Sequence, residues 1–352
     1  MTMLRFKQYI EILTEAVKKA TEKKKKVKQN TQGVLHELLV GYHLNGGQHM
    51  EHHTDKEGLT PTQAHDKLKA SITPEEYDAI NDRAKKAAEH LKSIVETNGH
   101  KIHKVNWTSK NGDIERSTGI KSTQSEDASD LVITTRDSTG NVKHHGVSLK
   151  VSSLRRSSHV PLSNRGIEAT YGGDRIANAH RSRVLSTYPE LKNLPNDPNY
   201  KENGADDKRR RWAQANPKKA ADIKVMNTAA LHSVAQHLTD HLNNSGPAAI
   251  VDHLRNHVLY AKKTPMQRQG HAHIRHTTYG DGTMEHYDPS EHFEHILSEP
   301  EHITVERSGT GVVFSHRGVP FARHSLKFNS QSDPVSSIKG VGNTTGSKKK
   351  KK

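Results

Sequence analysis

Residues 126–153 constrain this chain more than any other stretch. Leu131, Val132 and Ile133 form an apolar, largely β-branched run, and the DSTGN segment at 137–141 has the chemistry of a tight turn. Beyond it Val147, Leu149 and Val151 alternate with Ser148, Lys150 and Ser152. That period-2 pattern predicts a second strand with one apolar and one polar face. Asp130 therefore opens one strand, and Lys150 stands on the polar face of its neighbour. A carboxylate and a lysine on adjacent strands are the minimum equipment for metal-assisted phosphodiester chemistry.

The bulk numbers leave room for that chemistry. The 352 residues are only 31% hydrophobic and 5% aromatic, so part of the chain must carry the core for polar loops and tails. A formal net charge of +15 favours a polyanionic partner, most simply nucleic acid. There is no cysteine, which excludes disulfides, thiolate zinc sites and cysteine nucleophiles. No apolar run approaches the roughly 18 residues of a membrane span, and the N-terminus lacks a secretory apolar core. The expected location is thus neither secreted nor membranous.

Residues 1–16 read as an amphipathic helix, and 17–30 as a basic linker containing Lys23–Lys26. Val34, Leu35, Leu38, Leu39 and Tyr42 predict a core helix over 31–44, with Glu37 inside it. Thr73-Pro74-Glu75-Glu76 is a capping box for a helix running to about residue 96. A strand is expected at 102–107 and a polar hairpin segment at 112–119. Residues 164–185 read as loosely helical and 191–219 as a basic linker or loop. A helical pair at 220–242 and 247–261 precedes an antiparallel meander over 303–328. From 331 to 352 the composition predicts a disordered basic tail ending in Lys348–Lys352.

The order helix with Glu37, strand opening at Asp130, strand with Ser148-Leu149-Lys150, then a further helix resembles the PD-(D/E)XK nuclease superfamily over residues 31–190. The resemblance implies a mixed α/β (α+β) fold, with a restriction-endonuclease-like sheet flanked by helices and a helical plus β-meander C-terminal part. It also implies Mg2+ or Mn2+ as cofactor and a metal-dependent endonuclease acting on DNA. Asp130 would be the metal ligand, Glu37 an auxiliary ligand, Lys150 the water activator and Ser148 a water-mediated contact. Ser148 departs from the family pattern, because a hydroxyl replaces the second carboxylate. Asp127 or Glu126, just upstream of the first strand, or Glu37 could compensate for it.

The first sixteen residues are similar to head-targeting propeptides of T-even-type tailed phages. Leu13-Thr14-Glu15 followed by Ala16 fits cleavage by a head protease after Glu15. That resemblance implies a location in the virion interior or the host cytoplasm. Arg155, Arg156, Lys143 and Arg209–Arg211 are the expected DNA-binding cations, with Trp212 beside the last three to stack on a base or sugar. The 27 histidines include i, i+4 pairs, but no H-E-x-x-H pattern accompanies them. His144 or His145 could serve as a general base. The competing expectation is a non-enzymatic DNA-binding or DNA-condensing phage head protein, which needs only the charge. A structural head component with a degenerate nuclease fold is the third.

Overall fold

A computed structural model describes residues 31–51, 53–152, 163–167, 173–194, 208–329 and 335–344. The expectations for residues 1–30 and for Arg155 and Arg156 lie outside the described residues. The chain divides into two compact units, one from Met1–Arg156 with Lys263–Asp288, the other from Ser157–Lys262 with Pro289–Lys352. Both contain helices, and their sheets are mixed in the first and antiparallel in the second, so the protein is a mixed α/β chain.

The first unit is built on a five-stranded sheet. β1 (Lys101–Trp107), β2 (Leu131–Arg136) and β3 (Val142–Val151) form an antiparallel meander. β5 (Ala272–Thr278) then pairs parallel to β3, and β6 (Met284–Tyr287) pairs antiparallel to β5. Helix α1 (31–44) and helix α3 (Pro74–Val95) cover one face. Leu35, Leu38 and Leu39 of α1 pack there with Ile80 and Leu91 of α3 and with Leu131, Ile133, Val147 and Leu149 of the sheet. Each fully buried leucine contributes about 1.5–3 kcal/mol by removal from water. The Thr73 capping box forms as its sequence specifies, and Thr60 makes a second one that starts α2 (Pro61–Lys69).

The other face of the sheet is covered as well. Ile114 of α4 (Asp113–Thr118), Ile120, Val132 and Met266 of α9 (Pro265–Arg268) pack together there. Ser148 is consequently buried rather than solvated, and β2 is buried along most of its length. The segment expected to be a hairpin at 112–119 is the short helix α4, closed at both ends by glycines with positive φ.

In the second unit, β4 (Ser163–Gly166), β10 (Ile338–Thr344), β9 (Val319–Phe328), β8 (Gly311–His316) and β7 (Ile303–Ser308) form an antiparallel sheet in that spatial order. The expected meander is β7–β8–β9. The expected helical pair is α7 (Pro217–Ser245) and α8 (Pro247–His253), broken at Gly246 and continued by a π-turn over Leu254–Val258. Helices α5 (Gly173–Thr187) and α6 (Lys208–Ala215) complete the unit.

Two expectations about organisation are corrected. Residues 335–344 are no disordered tail, because Ile338 and Val341 are buried in a strand paired on both sides. A contiguous core over 31–190 does not exist either. A parallel neighbour for β3 requires a crossover connection, and the chain supplies that strand only after residue 262.

Candidate functional site

Glu37, Asp130 and Lys150 come from three different elements of the first unit and converge. The backbone sets Asp130 first. Its N–H donates to the Val147 carbonyl at 2.8 Å, and its carbonyl accepts the Thr108 N–H at 3.0 Å. Its carboxylate Oδ2 accepts the Leu149 N–H at 2.7 Å and Lys150 Nζ at 3.3 Å. The side chains of Asp130 and Lys150 remain 23% and 31% exposed, so the pair opens to solvent. A charge-assisted bond from a backbone amide fixes one carboxylate oxygen in place.

Glu37 approaches from α1. The residue retains some accessible surface, but protein atoms crowd its carboxyl, and the carboxyl is what ionises. Burial pushes its pKa well above the ordinary value of 4.5, and the neighbouring Asp130 charge pushes it further. Lys150 opposes this. The indole N–H of Trp107 opposes it too, as a nearby dipole that makes no hydrogen bond of standard geometry.

A carboxyl whose charge is disfavoured by a neighbouring carboxylate is, together with that neighbour, a donor set that a divalent cation fits. Asp130 and Glu37 are two such donors. Among the described residues no three His, Asp or Glu side chains form a group able to hold a metal ion. Mg2+ commonly binds through one or two carboxylates and keeps several waters, so two donors meet its habit.

The remaining expected site residues fall elsewhere. Ser148 shares the Lys150 face of β3, two residues away, and is 5% exposed. Asp127 is fully buried, its Oδ1 accepting from the Ser129 N–H and hydroxyl. The Glu126 carboxylate is engaged by the Thr123 N–H at 3.0 Å and the Thr123 hydroxyl at 2.8 Å. Lys143 lies seven residues along β3 from Lys150, about 23 Å at 3.3 Å per residue, and on the alternate face.

His144 and His145 stand six and five residues along β3 from Lys150 and bond to β2 instead. His144 Nδ1 meets the Thr134 hydroxyl at 3.0 Å, and His145 Nε2 meets the Thr135 hydroxyl at 3.1 Å. Neither is placed to act as a base for Asp130. Arg209, Arg210 and Arg211 are on α6 of the second unit, Arg209 half-buried and Arg211 exposed. Trp212, expected to stack on a base, packs instead against the cluster of Val184, Leu191 and Ile223.

Sequence reasoning missed β5 altogether. Parallel pairing sets Arg275 opposite Ser148 and His273 opposite Gly146. Both side chains are buried, and the Asp130 charge acts on both. Burial lowers the Arg275 pKa, while Tyr287 and then Asp130 raise it. The only signal in the sequence was the dense run of His271, His273 and His276, which no alternation marked as a strand.

Comparison with known proteins returns no matching family model, no matching curated protein and no matching solved structure. No helix among the described residues is long and apolar enough to cross a membrane.

Proposed function

We propose that this chain is a metal-dependent DNA endonuclease with a restriction-endonuclease-like PD-(D/E)XK core, carried in a phage head and delivered to the host cytoplasm. The observation that carries the reading is the solvent-open Asp130–Lys150 pair with the crowded Glu37 carboxyl of α1 within electrostatic reach of both. Asp130 and Glu37 would hold Mg2+ or Mn2+. When bound, the cation polarises a phosphoryl oxygen and lowers the pKa of a coordinated water.

Lys150 orients the attacking water and neutralises charge developing on the phosphate. The water oxygen bonds to phosphorus as one P–O ester bond breaks. The water's proton passes to solvent, and the leaving oxygen takes one from solvent. Ser148 contributes at most a hydrogen bond to a water. The net charge of +15 supports DNA as the polyanion.

The same charge, with a hydroxyl at 148 and only two converging carboxyls, favours a second reading as a non-enzymatic DNA-binding head protein. Supercoiled plasmid separates the two. Purified protein, Lys150→Ala and Asp130→Asn are incubated with it in Mg2+, Mn2+ or EDTA. Metal-dependent nicking by the wild type alone is expected. Equal DNA retardation by all three, with no nicking in any metal, would leave only the binding reading.

A further inference from the structure

Asp130 is held by more than its own strand. The loop that delivers it is tied to β5, 144 residues away in sequence. The Ser129 hydroxyl donates to Asp127 Oδ1 at 2.5 Å, and the Ser129 N–H donates to the same oxygen at 3.1 Å. His273 Nδ1 lies 3.4 Å from the Ser129 hydroxyl and 3.7 Å from Asp127 Oδ1. All three side chains are buried. On the opposite side of the loop, the Ser129 carbonyl accepts the Thr108 hydroxyl at 2.6 Å.

Gly146 makes room for the arrangement. A Cβ there would stand 2.4 Å from Ser129 Oγ, 2.6 Å from Met266 Cε and 3.2 Å from His273 Nδ1. Both the hydroxyl and the ring are buried, so a shift of either would disturb the Ser129–Asp127 bond or the His273–Ser129 contact. A purely structural contact between a loop and a strand is made more cheaply by apolar side chains. Here a buried carboxylate is used instead, and its Oδ2 has no hydrogen-bond partner. This buried polar network lies one residue from the solvent-open carboxyl of Asp130. The His273 ring is within electrostatic reach of Asp127, Asp288, Asp130 and Lys150.

We propose that His273 is a positioning residue for the candidate metal site: by bridging Ser129 and Asp127 beside Gly146, it fixes the loop that presents the Asp130 carboxyl. The proposal rests on Asp130 being a metal ligand, though not on DNA cleavage. Groups that orient a metal ligand from behind commonly change metal affinity 10–100-fold when removed.

The test uses full-length protein and Tb3+ as the probe, read by tryptophan-sensitised luminescence, since Trp107 adjoins Glu37. Asp130→Asn defines the site-specific signal. Parallel measurements follow DNA-duplex binding in EDTA and the Mg2+ dependence of plasmid cleavage. His273→Leu should raise the half-saturating Tb3+ and Mg2+ concentrations about 10-fold or more, with DNA affinity in EDTA unchanged. His273→Asn, which keeps a donor near the Nδ1 position, should recover most of the loss. Ser129→Ala, which opens little space, should shift metal affinity in the same direction and carries the test if His273→Leu does not fold.

Wild-type Tb3+ affinity in the variants overturns the proposal, as does parallel loss of metal and DNA binding. A wild type without Asp130-dependent Tb3+ binding overturns it too. If the wild type binds Tb3+ through Asp130, the variants weaken it and plasmid stays intact, the nuclease reading falls and the positioning role stands.

Discussion

A carboxyl kept protonated by burial and by a second carboxylate opposes folding once the unfolded chain can release its proton. Glu37 is in that condition, and the cost is paid in stability. Its pKa in the folded chain lies above the ordinary 4.5. Below pH 4.5 the carboxyl is protonated folded or unfolded, and its contribution is complete. As pH rises, the unfolded chain releases this proton first, so stability is lost progressively up to the folded pKa. Glu37→Gln keeps the shape and cannot ionise. We expect its melting temperature to exceed the wild type's at pH 8.5, with the gap closing toward pH 5, while metal-dependent cleavage falls steeply. Thermal unfolding followed by circular dichroism across that range checks it; a lower melting temperature at pH 8.5 would show that the carboxylate is welcomed by its surroundings. Lys150→Ala tests the other half of the site. It leaves the Leu149 N–H on Asp130 but removes the nearby cation. Cleavage should fall at least 100-fold, the order of a positioned proton-transfer or charge-stabilising group, with folding retained because the lysine is part-exposed.

At the scale of elements, β10 decides whether the second unit holds together. It fills the gap between β4 and β9, and no other described strand pairs with β4. A chain ending at residue 330 would leave β4 unpaired and β9 with an open edge, an invitation to aggregate. We expect such a truncation to lose the second unit's cooperative melt and to sediment on heating, as light scattering would report. A gentler change makes the same point. A Cβ on Gly340 would stand 1.9 Å from His324 Nε2, and that ring is buried with Nδ1 3.0 Å from His253 Nε2. Gly340→Ala should cost roughly 1–3 kcal/mol by overpacking, measurable as a lower denaturant midpoint. These strands also show which parts of the fold were legible. The hairpin of β2 and β3 could be read because its turn residues and its alternation are local. Glu37 could be read because it interrupts an apolar helical stripe, and the Thr73 box because capping is a four-residue code. β5 could not. Its partner β3 is parallel and more than a hundred residues earlier, so no turn marks it, and its AHIRHTT sequence is too polar to look buried. Its burial follows from Met266 and Ile114 closing the second face of the sheet, a tertiary event. β10 was obscured by the Ser/Gly/Asn-rich composition around it, in which Gly340 answers a steric demand from His324 rather than a need for flexibility.

Across the whole molecule the excess of histidine has a physical consequence of its own. His36 and His276 in the first unit and His324 in the second are buried, and desolvation holds the pKa of each down to about 3. Burial likewise lowers His145 to about 4 and His253 well below 6.5. Nearby imidazoles or cations lower all five further, among them Arg83 and His276 for His36, His90 and His286 for His276, and His257 for His324. In every case the folded pKa lies below the unfolded value of 6.5. Above pH 6.5 both states hold these rings neutral and stability is complete. As pH falls from 6.5 toward 3 the unfolded chain takes up protons that the folded chain refuses, so stability drops. Each such ring costs up to about 1.4 kcal/mol per pH unit in that window, against a typical total of about 5–15 kcal/mol. Both units should therefore unfold on acidification between pH 6 and 4, ahead of the general protonation of their carboxylates. Urea midpoints measured at pH 7.5, 6.5, 5.5 and 4.5 give the slope. His36→Leu isolates one contribution, because neither nitrogen of that ring has a hydrogen-bond partner to lose. The variant should match or exceed wild-type stability at pH 7.5 and flatten the acid slope by about one proton's worth. An unchanged slope would mean that His36 is protonated in the folded chain, and that water or a counter-charge reaches a ring otherwise enclosed by α1, α3 and β5.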